Sequence, residues 1–245
     1  MTFRWGVTAF DRAILLFLNQ FAGRSPIFDA FVGMLATPNL LKGAVITILF
    51  IWVWFRSGED KTRDREFVIW TFFISMASVL VARALALTLP FRERPLREAA
   101  LHFHLPYGAD RLAVLGWSSF PSDHAVIFFA ASTALLFISR RLGIWSLLYT
   151  FFVICMPRVY LGIHYPTDIL AGAVIGIGLN AFTARPKLRT GVAGPFLRWE
   201  HEYPSRFYPF FFLVAFEFSE LFDSLRAVGH FGFIFAKQIL ARVLH

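Results

Sequence analysis

Three short strings gather the residues able to do chemistry: PFRERP at 90–95, FPSDHA at 120–125 and RVYLGIHYPTD at 158–168. In the third, Pro166 disfavours helix at Tyr165 and itself suits the first helical position. His164 therefore sits just before a helix, and Asp168 in the first turn is placed to reach back to one imidazole nitrogen. Such a bond fixes the tautomer and leaves the other nitrogen to attack. In the second string, Pro121 opens a helix whose first turn holds Ser122, Asp123 and His124. Free N–H groups and the positive dipole end attract phosphate there. Arg94 and Arg158 add planar, permanently charged forks that match phosphate oxygens. Phosphoryl transfer asks for these parts: donors for the equatorial oxygens, an in-line nucleophile and an acid for the leaving oxygen.

The elements that position these strings are hydrophobic helices. Of 245 residues, a length for one domain or at most two, 57% are apolar and 16% charged, with 31 Phe and 7 Trp. Soluble domains carry about 25% charged residues, and a mean hydropathy of +0.60 excludes a soluble or disordered chain. Spans of about 20 apolar residues are expected at Leu40–Phe55, Phe67–Leu89, Pro121–Ile138, Gly143–Gly162 and Pro166–Ala184. The expected fold is thus all-α: an integral-membrane bundle of five spans, with interfacial amphipathic helices at both ends. Segment 8–36, interrupted by Asp11, Arg12, Asn19, Arg24 and Asp29, reads as two short amphipathic helices, a sixth span being the alternative. The run Phe210–Phe216 is too short to cross, so the tail reads as a membrane-surface helix. This divides the chain into an N-terminal amphipathic segment (1–39), a transmembrane core (40–185) and a surface tail (186–245).

Parity decides whether the strings meet. Arg94 follows the second span, His124 begins the third, and two further crossings return the chain at Arg158 and His164. All three strings emerge on one side. The clusters Arg56, Lys61, Arg63, Arg65, then Arg140, Arg141, then Arg185, Lys187, Arg189 fall on the other, which the positive-inside tendency assigns to the cytoplasm. Arg92, Arg94, Arg97 and Arg111 oppose that bias, and a bound anion would explain them.

The net charge of +8 suits anionic lipid headgroups, and no basic run interleaved with polar aromatics points to nucleic acid. Cys155 is the only cysteine, which excludes an intrachain disulfide and a Cys-rich metal site. His102 and His104 have ligand-like spacing but no identifiable third ligand. They read as headgroup contacts, as do His201, His230 and His245. No cofactor site is evident, the Phe-rich stripes being packing or lipid-facing residues. No removable signal peptide is read at the N-terminus.

The three strings resemble the signature motifs of the type 2 phosphatidic acid phosphatase superfamily, written K-x6-R-P, P-S-G-H and S-R-x5-H-x3-D. Arg94 and Pro95 match the first, Pro121, Ser122 and His124 the second, and Arg158, His164 and Asp168 the third. The resemblance runs from Phe67 to about Ala184. It implies a metal-independent phosphatase in which His164 attacks phosphorus to form a phosphohistidine and Asp168 orients it. His124 would protonate the leaving oxygen and then activate water. Arg94, Arg158, Ser122 and the N–H groups near Asp123 would hold the phosphate. In bacterial members the site commonly faces the periplasm, in agreement with the orientation above.

Three positions depart from the pattern. Leu87 stands where the family has its first Lys, Asp123 replaces the Gly, and Pro157 replaces the Ser before Arg158. Arg83, one turn before Leu87, and Arg92 are candidate substitutes for the missing cation, against the plainer readings that Arg83 snorkels and Arg92 meets headgroups. Asp123 resembles the variant found in undecaprenyl diphosphate phosphatases, and is otherwise a helix N-terminal residue. The expected substrate is a lipid phosphate or diphosphate in the bilayer, with a polyprenyl diphosphate first. Phosphatidic acid, phosphatidylglycerol phosphate and lipid A phosphates stay open, as does transfer to another lipid. Leu87 and Pro157 motivate the competing reading, an inactive lipid-binding or transport component. A soluble haloperoxidase would share such a phosphate site, but the spans argue against it.

Overall fold

The computed structural model describes residues 6–110 and 116–222. Arg111, His230 and His245 lie outside them. The helices are α1 (Ala9–Asn19), α2 (Pro26–Ala36), α3 (Val45–Phe55), α4 (Lys61–Thr88), α5 (Asp123–Ile138), α6 (Arg140–Tyr149), α7 (Met156–Tyr160), α8 (Pro166–Thr183), α9 (Pro186–Glu202) and α10 (Pro204–Ser219). No strand forms among the described residues.

Three helical stretches are long and apolar enough to cross a bilayer: α4 with 28 residues, the rod Arg140–Tyr160 with 21, and α8 with 18. The rod joins α6 to α7 through a π-helical stretch, Thr150–Cys155. A fourth arises if α2 and Leu40–Phe55, bent by 62° to each other, count as one broken span. The apolar α5 has only 16 residues. It is the central helix, packed on α4, α6 and α8. Val126, Phe128, Ala130, Ala131, Ala134 and Leu135 are all fully buried, so it is apolar all round.

Small residues set the distance between α5 and α8. A Cβ on Gly176 would lie 2.2 Å from the Val126 carbonyl oxygen, so the two backbones touch where any other residue would hold them apart. Asn180 Nδ2 donates to the Ala130 carbonyl at 2.6 Å one turn further on. This contact fixes how the first turns of α5 and α8, which carry two of the three chemical strings, face each other.

The N-terminal helices turn their polar residues inward. Asp11, Asn19 and Asp29 are buried, while Phe10, Phe17, Ile27 and Phe31 are exposed. Asn19 exchanges two hydrogen bonds with the backbone of His104, and Asp29 accepts from the backbone N–H groups of Gly23 and Tyr107. The apolar face is turned outward, and protein satisfies the polar one.

The last described helix also packs inward. Phe207, Phe211, Ala215 and Phe218 of α10 join the core that holds Phe50, Trp54, Phe72 and Phe128. Trp54 stacks on Phe207 at 5.5 Å, and Phe50 meets Phe218 edge-on at 6.2 Å. The short run Phe210–Phe216 does not announce this, because its buried residues recur along one face from Phe207 to Phe218. Helix α9 is tied across α4 by Arg189–Glu66 at 3.0 Å and Arg65–Glu200 at 3.2 Å.

Candidate active site

The third string folds back on itself. Gly162 has φ +70°, a left-handed turn at which a Cβ would also lie 2.7 Å from the Phe103 ring. The turn lets the Arg158 carbonyl accept from the N–H groups of both Ile163 and His164. After it, Pro166 opens α8, and Asp168 Oδ2 accepts from the Tyr165 backbone N–H at 2.8 Å.

The first and second strings run side by side against this turn. Ser119 N–H donates to the Arg92 carbonyl at 2.9 Å, Leu96 N–H to the Gly162 carbonyl at 3.0 Å, and Ser122 N–H to the Asp168 carbonyl at 3.4 Å. The three strings therefore meet in space, brought together by the ends of α4 and α7 and the starts of α5 and α8.

His164 is almost fully buried. Its Nδ1 lies 2.9 Å from the Ser119 carbonyl oxygen and 3.6 Å from Asp168 Oδ2. A carbonyl only accepts, so Nδ1 carries the proton and the lone pair resides on Nε2. Asp168 acts on the ring from the wider distance and is itself held by the Ser119 hydroxyl. Burial holds the His164 imidazole below its ordinary range, the charges of Arg94 and Arg158 act in the same direction, and Asp168 opposes them. The neutral, nucleophilic form is thus favoured near neutral pH.

The four arginines sort into two pairs. Arg94 donates to the carbonyls of Ile163 (2.8 Å), Trp117 (3.3 Å) and Ser118 (3.5 Å). Arg158 donates to Ile154 (2.7 Å) and Ala36 (3.4 Å). Both are buried, and among the described residues neither has a carboxylate within ion-pairing distance. Burial lowers the Arg94 pKa to about 10, which leaves it charged at neutrality. The other pair is neutralised: Arg92 bridges Asp11 and Asp168, and Arg83 pairs with Asp123 and lies over the Trp117 ring at 4.5 Å. Carbonyl dipoles satisfy N–H groups without cancelling a charge, so the first pair presents two cations without a direct ion-pair partner beside His164, with Asp168, Asp123 and Glu93 acting on Arg94 only from a distance.

Ser122 Oγ is buried with no hydrogen-bond partner, and His124 is half-buried in the first turn of α5. Leu87 is 85% exposed and faces outward. Pro157 is buried within the rod Arg140–Tyr160, two residues after its π-helical stretch.

A description of the PAP2 superfamily matches residues 67–189, a segment that contains all three strings. The chain belongs to the PAP2 superfamily. The undecaprenyl-diphosphatase BcrC of Bacillus subtilis is 30% identical over 160 residues, covering 65% of this chain and 75% of that protein. The lipid A 4′-phosphatase of Bacteroides thetaiotaomicron is 44% identical over 63 residues, 25% of this chain and 28% of that one. The crystal structure of Aquifex aeolicus LpxE superposes with a TM-score of 0.49 at 24% identity, covering 71% of this chain and 94% of that one. As a PAP2 protein the chain is an integral-membrane phosphatase.

Three residues of this PAP2 site escape a reading of the strings: Ser119, Thr167 and Asp11. Ser119 and Thr167 lie beside motif residues, yet a serine in a loop or a threonine in a first helical turn carries no signal of its partner. Asp11 did leave a signal, a carboxylate in the first turn of an apolar helix. In a membrane chain such a group marks a buried polar contact as readily as an interface.

Proposed function

We propose that this PAP2 phosphatase removes the terminal phosphate of a polyprenyl diphosphate, undecaprenyl diphosphate first among them, through a phosphohistidine on His164. The observation that carries the reading is the pair of buried, carboxylate-free guanidinium groups, Arg94 and Arg158, beside a neutral imidazole whose Nδ1 is already committed. Buried cations without a direct ion-pair partner are costly unless an anion completes them. The similarity to an undecaprenyl-diphosphatase over 75% of its length favours the diphosphate.

In this reading His164 Nε2 attacks the terminal phosphorus as the bond to the bridging oxygen breaks. His124 gives its proton to that oxygen, and polyprenyl monophosphate leaves. His124 then takes a proton from water, whose oxygen attacks the phosphohistidine to release inorganic phosphate and restore His164. Arg94, Arg158, the Ser122 hydroxyl and the first N–H groups of α5 hold the equatorial oxygens throughout. Arg83, paired with Asp123 at the rim and 29% exposed, is placed for the second phosphate.

We place the chain in a bacterial inner membrane with five crossings: α4, α5, the rod Arg140–Tyr160, α8 and the bent α2–α3 pair. The site then faces the periplasm, and the basic clusters at the opposite helix ends face the cytoplasm. Phosphate release from detergent-solubilised protein, across polyprenyl diphosphate, phosphatidic acid, phosphatidylglycerol phosphate and lipid A, tests the substrate. Release should be fastest with the polyprenyl diphosphate and absent in His164→Ala. Equal release from both proteins would contradict the reading.

A further inference from the structure

Asp11 belongs to α1, far outside the segment matched to the family, yet it is among the most heavily bonded side chains in the molecule. Its Oδ2 accepts from Arg92 Nη2 at 2.7 Å, from Thr167 Oγ1 at 2.8 Å and from Thr8 Oγ1 at 3.0 Å. Its Oδ1 accepts from the Thr167 backbone N–H at 2.9 Å. The carboxylate thus closes the N-terminal turn of α8, the turn that carries Asp168, where a negative charge is stabilised by the helix dipole. Asp11 and Asp168 are fully buried and Arg92 is 3% exposed. Arg92 joins the two carboxylates: Nη2 faces Asp11, and Nη1 faces Asp168 and, at 2.9 Å, Thr167 Oγ1. The guanidinium also lies 4.0 Å over the Tyr165 ring. From Asp168 the chain of contacts continues through the Ser119 hydroxyl to the residue whose carbonyl holds His164 Nδ1.

We propose that Asp11 is a positioning residue for His164, acting through Arg92 to set the orientation and the effective charge of Asp168. The proposal rests on His164 being the nucleophile. A fork shared between two carboxylates has one geometry, so Asp168 cannot turn away from His164 without breaking its contacts to Arg92, Ser119 and the Tyr165 N–H. The trio Asp11, Arg92 and Asp168 carries one net negative charge. Without Asp11 the negative charge of Asp168 would face a full Arg92 cation alone. Asp168 would then support the positive charge that develops on His164 less well. The N-terminal helix is therefore part of the catalytic apparatus rather than an anchor beside it.

Among the described residues, the remaining charged groups that act on His164 are Arg94 from the α4–α5 connection and Arg158 from α7. Arg83 of α4, Asp123 of α5 and Glu93 act on Arg94, and Glu98 acts on Tyr165. None of these changes in the variants that follow, so the sign of each shift comes from the trio alone.

The test is the pH profile of kcat/KM for phosphate release by the full-length protein in detergent. Asp11→Asn raises the net charge of the trio by one. Its acid limb should move to lower pH by about half a unit, with kcat down at least ten-fold and KM little changed. Arg92→Gln lowers the charge by one and should move the limb the other way. The double variant restores the charge, and its limb should return towards that of the unmodified protein while kcat stays low. Arg92→Lys, which keeps the charge but loses the fork, should lower kcat with the limb unmoved, and it serves where Asp11→Asn does not fold. Loss of activity in every variant without opposed shifts, or an Asp11→Asn protein with unaltered kcat, would overturn the proposal. An active His164→Ala protein would instead overturn the nucleophile assignment on which it rests.

Discussion

Ser119 grips both members of the His164–Asp168 pair: its backbone oxygen lies 2.9 Å from His164 Nδ1, and its hydroxyl donates to the Asp168 carboxylate. The imidazole is thus oriented by main chain, which cannot rotate away, and the carboxylate supplies charge from 3.6 Å. Ser119→Ala keeps the first contact and removes the second. A hydrogen bond to a charged group contributes about 1.5–3 kcal/mol, so kcat should fall about ten- to a hundred-fold with KM unchanged. Steady-state kinetics on the purified variant check this, and a change confined to KM would contradict the role given to Ser119.

Among the described residues, Arg94 and Arg158 donate to carbonyl oxygens and to no carboxylate, so each keeps its charge for an anion. Replacing either with Lys preserves the charge but not the planar fork. A loss of about 10²–10³ in kcat/KM is expected, the effect of removing one donor from a preorganised oxyanion site. Arg92→Lys should behave differently, lowering kcat alone, because its fork is spent on Asp11 and Asp168. Identical kinetic signatures for Arg92 and Arg94 variants would erase the distinction drawn between the two pairs.

Asp123, one of the three departures from the family pattern, pairs with Arg83. A carboxylate beside Ser122 would repel phosphate if Arg83 did not cover it. Arg83→Ala should therefore raise KM more in the parent protein than in an Asp123→Gly background. A double-mutant cycle should give a coupling of about 1 kcal/mol. Additive effects would show that the pair does not act as a unit.

The depressed pKa of His164 gives a signed pH dependence. In the proposed mechanism neutral imidazole attacks, so activity should be retained as pH falls to 6.5, the ordinary histidine value, and be lost only as pH passes below the lowered one. The acid limb of kcat/KM should lie below 6.5 and vanish as a feature in variants that bypass His164. A limb well above 6.5 would place the titrating group elsewhere.

Sidedness is open to direct labelling. Cys155 is buried, so it stays silent while Tyr107→Cys, on the site side, and Gly58→Cys, between α3 and α4, report in turn. An impermeant maleimide added to intact cells should label the first and not the second. The reverse pattern would invert the orientation.

Much of this site is legible from spacing. Pro166 marks the start of α8, whereas α5 begins two residues after Pro121, at Asp123 with Ser122 as its N-cap rather than in its first turn. The parity of apolar segments brings His164, His124 and Arg94 to one side without any knowledge of packing. What spacing cannot convey is which partner a charge will choose. Arg92 and Arg94 are two residues apart in one string, yet one turns to carboxylates and the other to carbonyls. That choice depends on Asp11, some eighty residues earlier in the chain. The same holds for α10, whose Phe207 and Phe218 find Trp54 and Phe50 only once α3 exists to receive them. Span counting fails at α5 for a related reason: a central helix surrounded by protein need not be as long as one surrounded by lipid.

The account turns on His164 as the atom that receives phosphate, and trapping that phosphate tests it most directly. Detergent-solubilised protein is mixed with polyprenyl diphosphate labelled in its terminal phosphate, quenched in alkali during turnover, and mapped by peptide. An acid-labile, alkali-stable label on the peptide containing His164, absent in His164→Ala and accumulating in His124→Ala, is the predicted result. Label on His124, or label that survives His164→Ala, would contradict it.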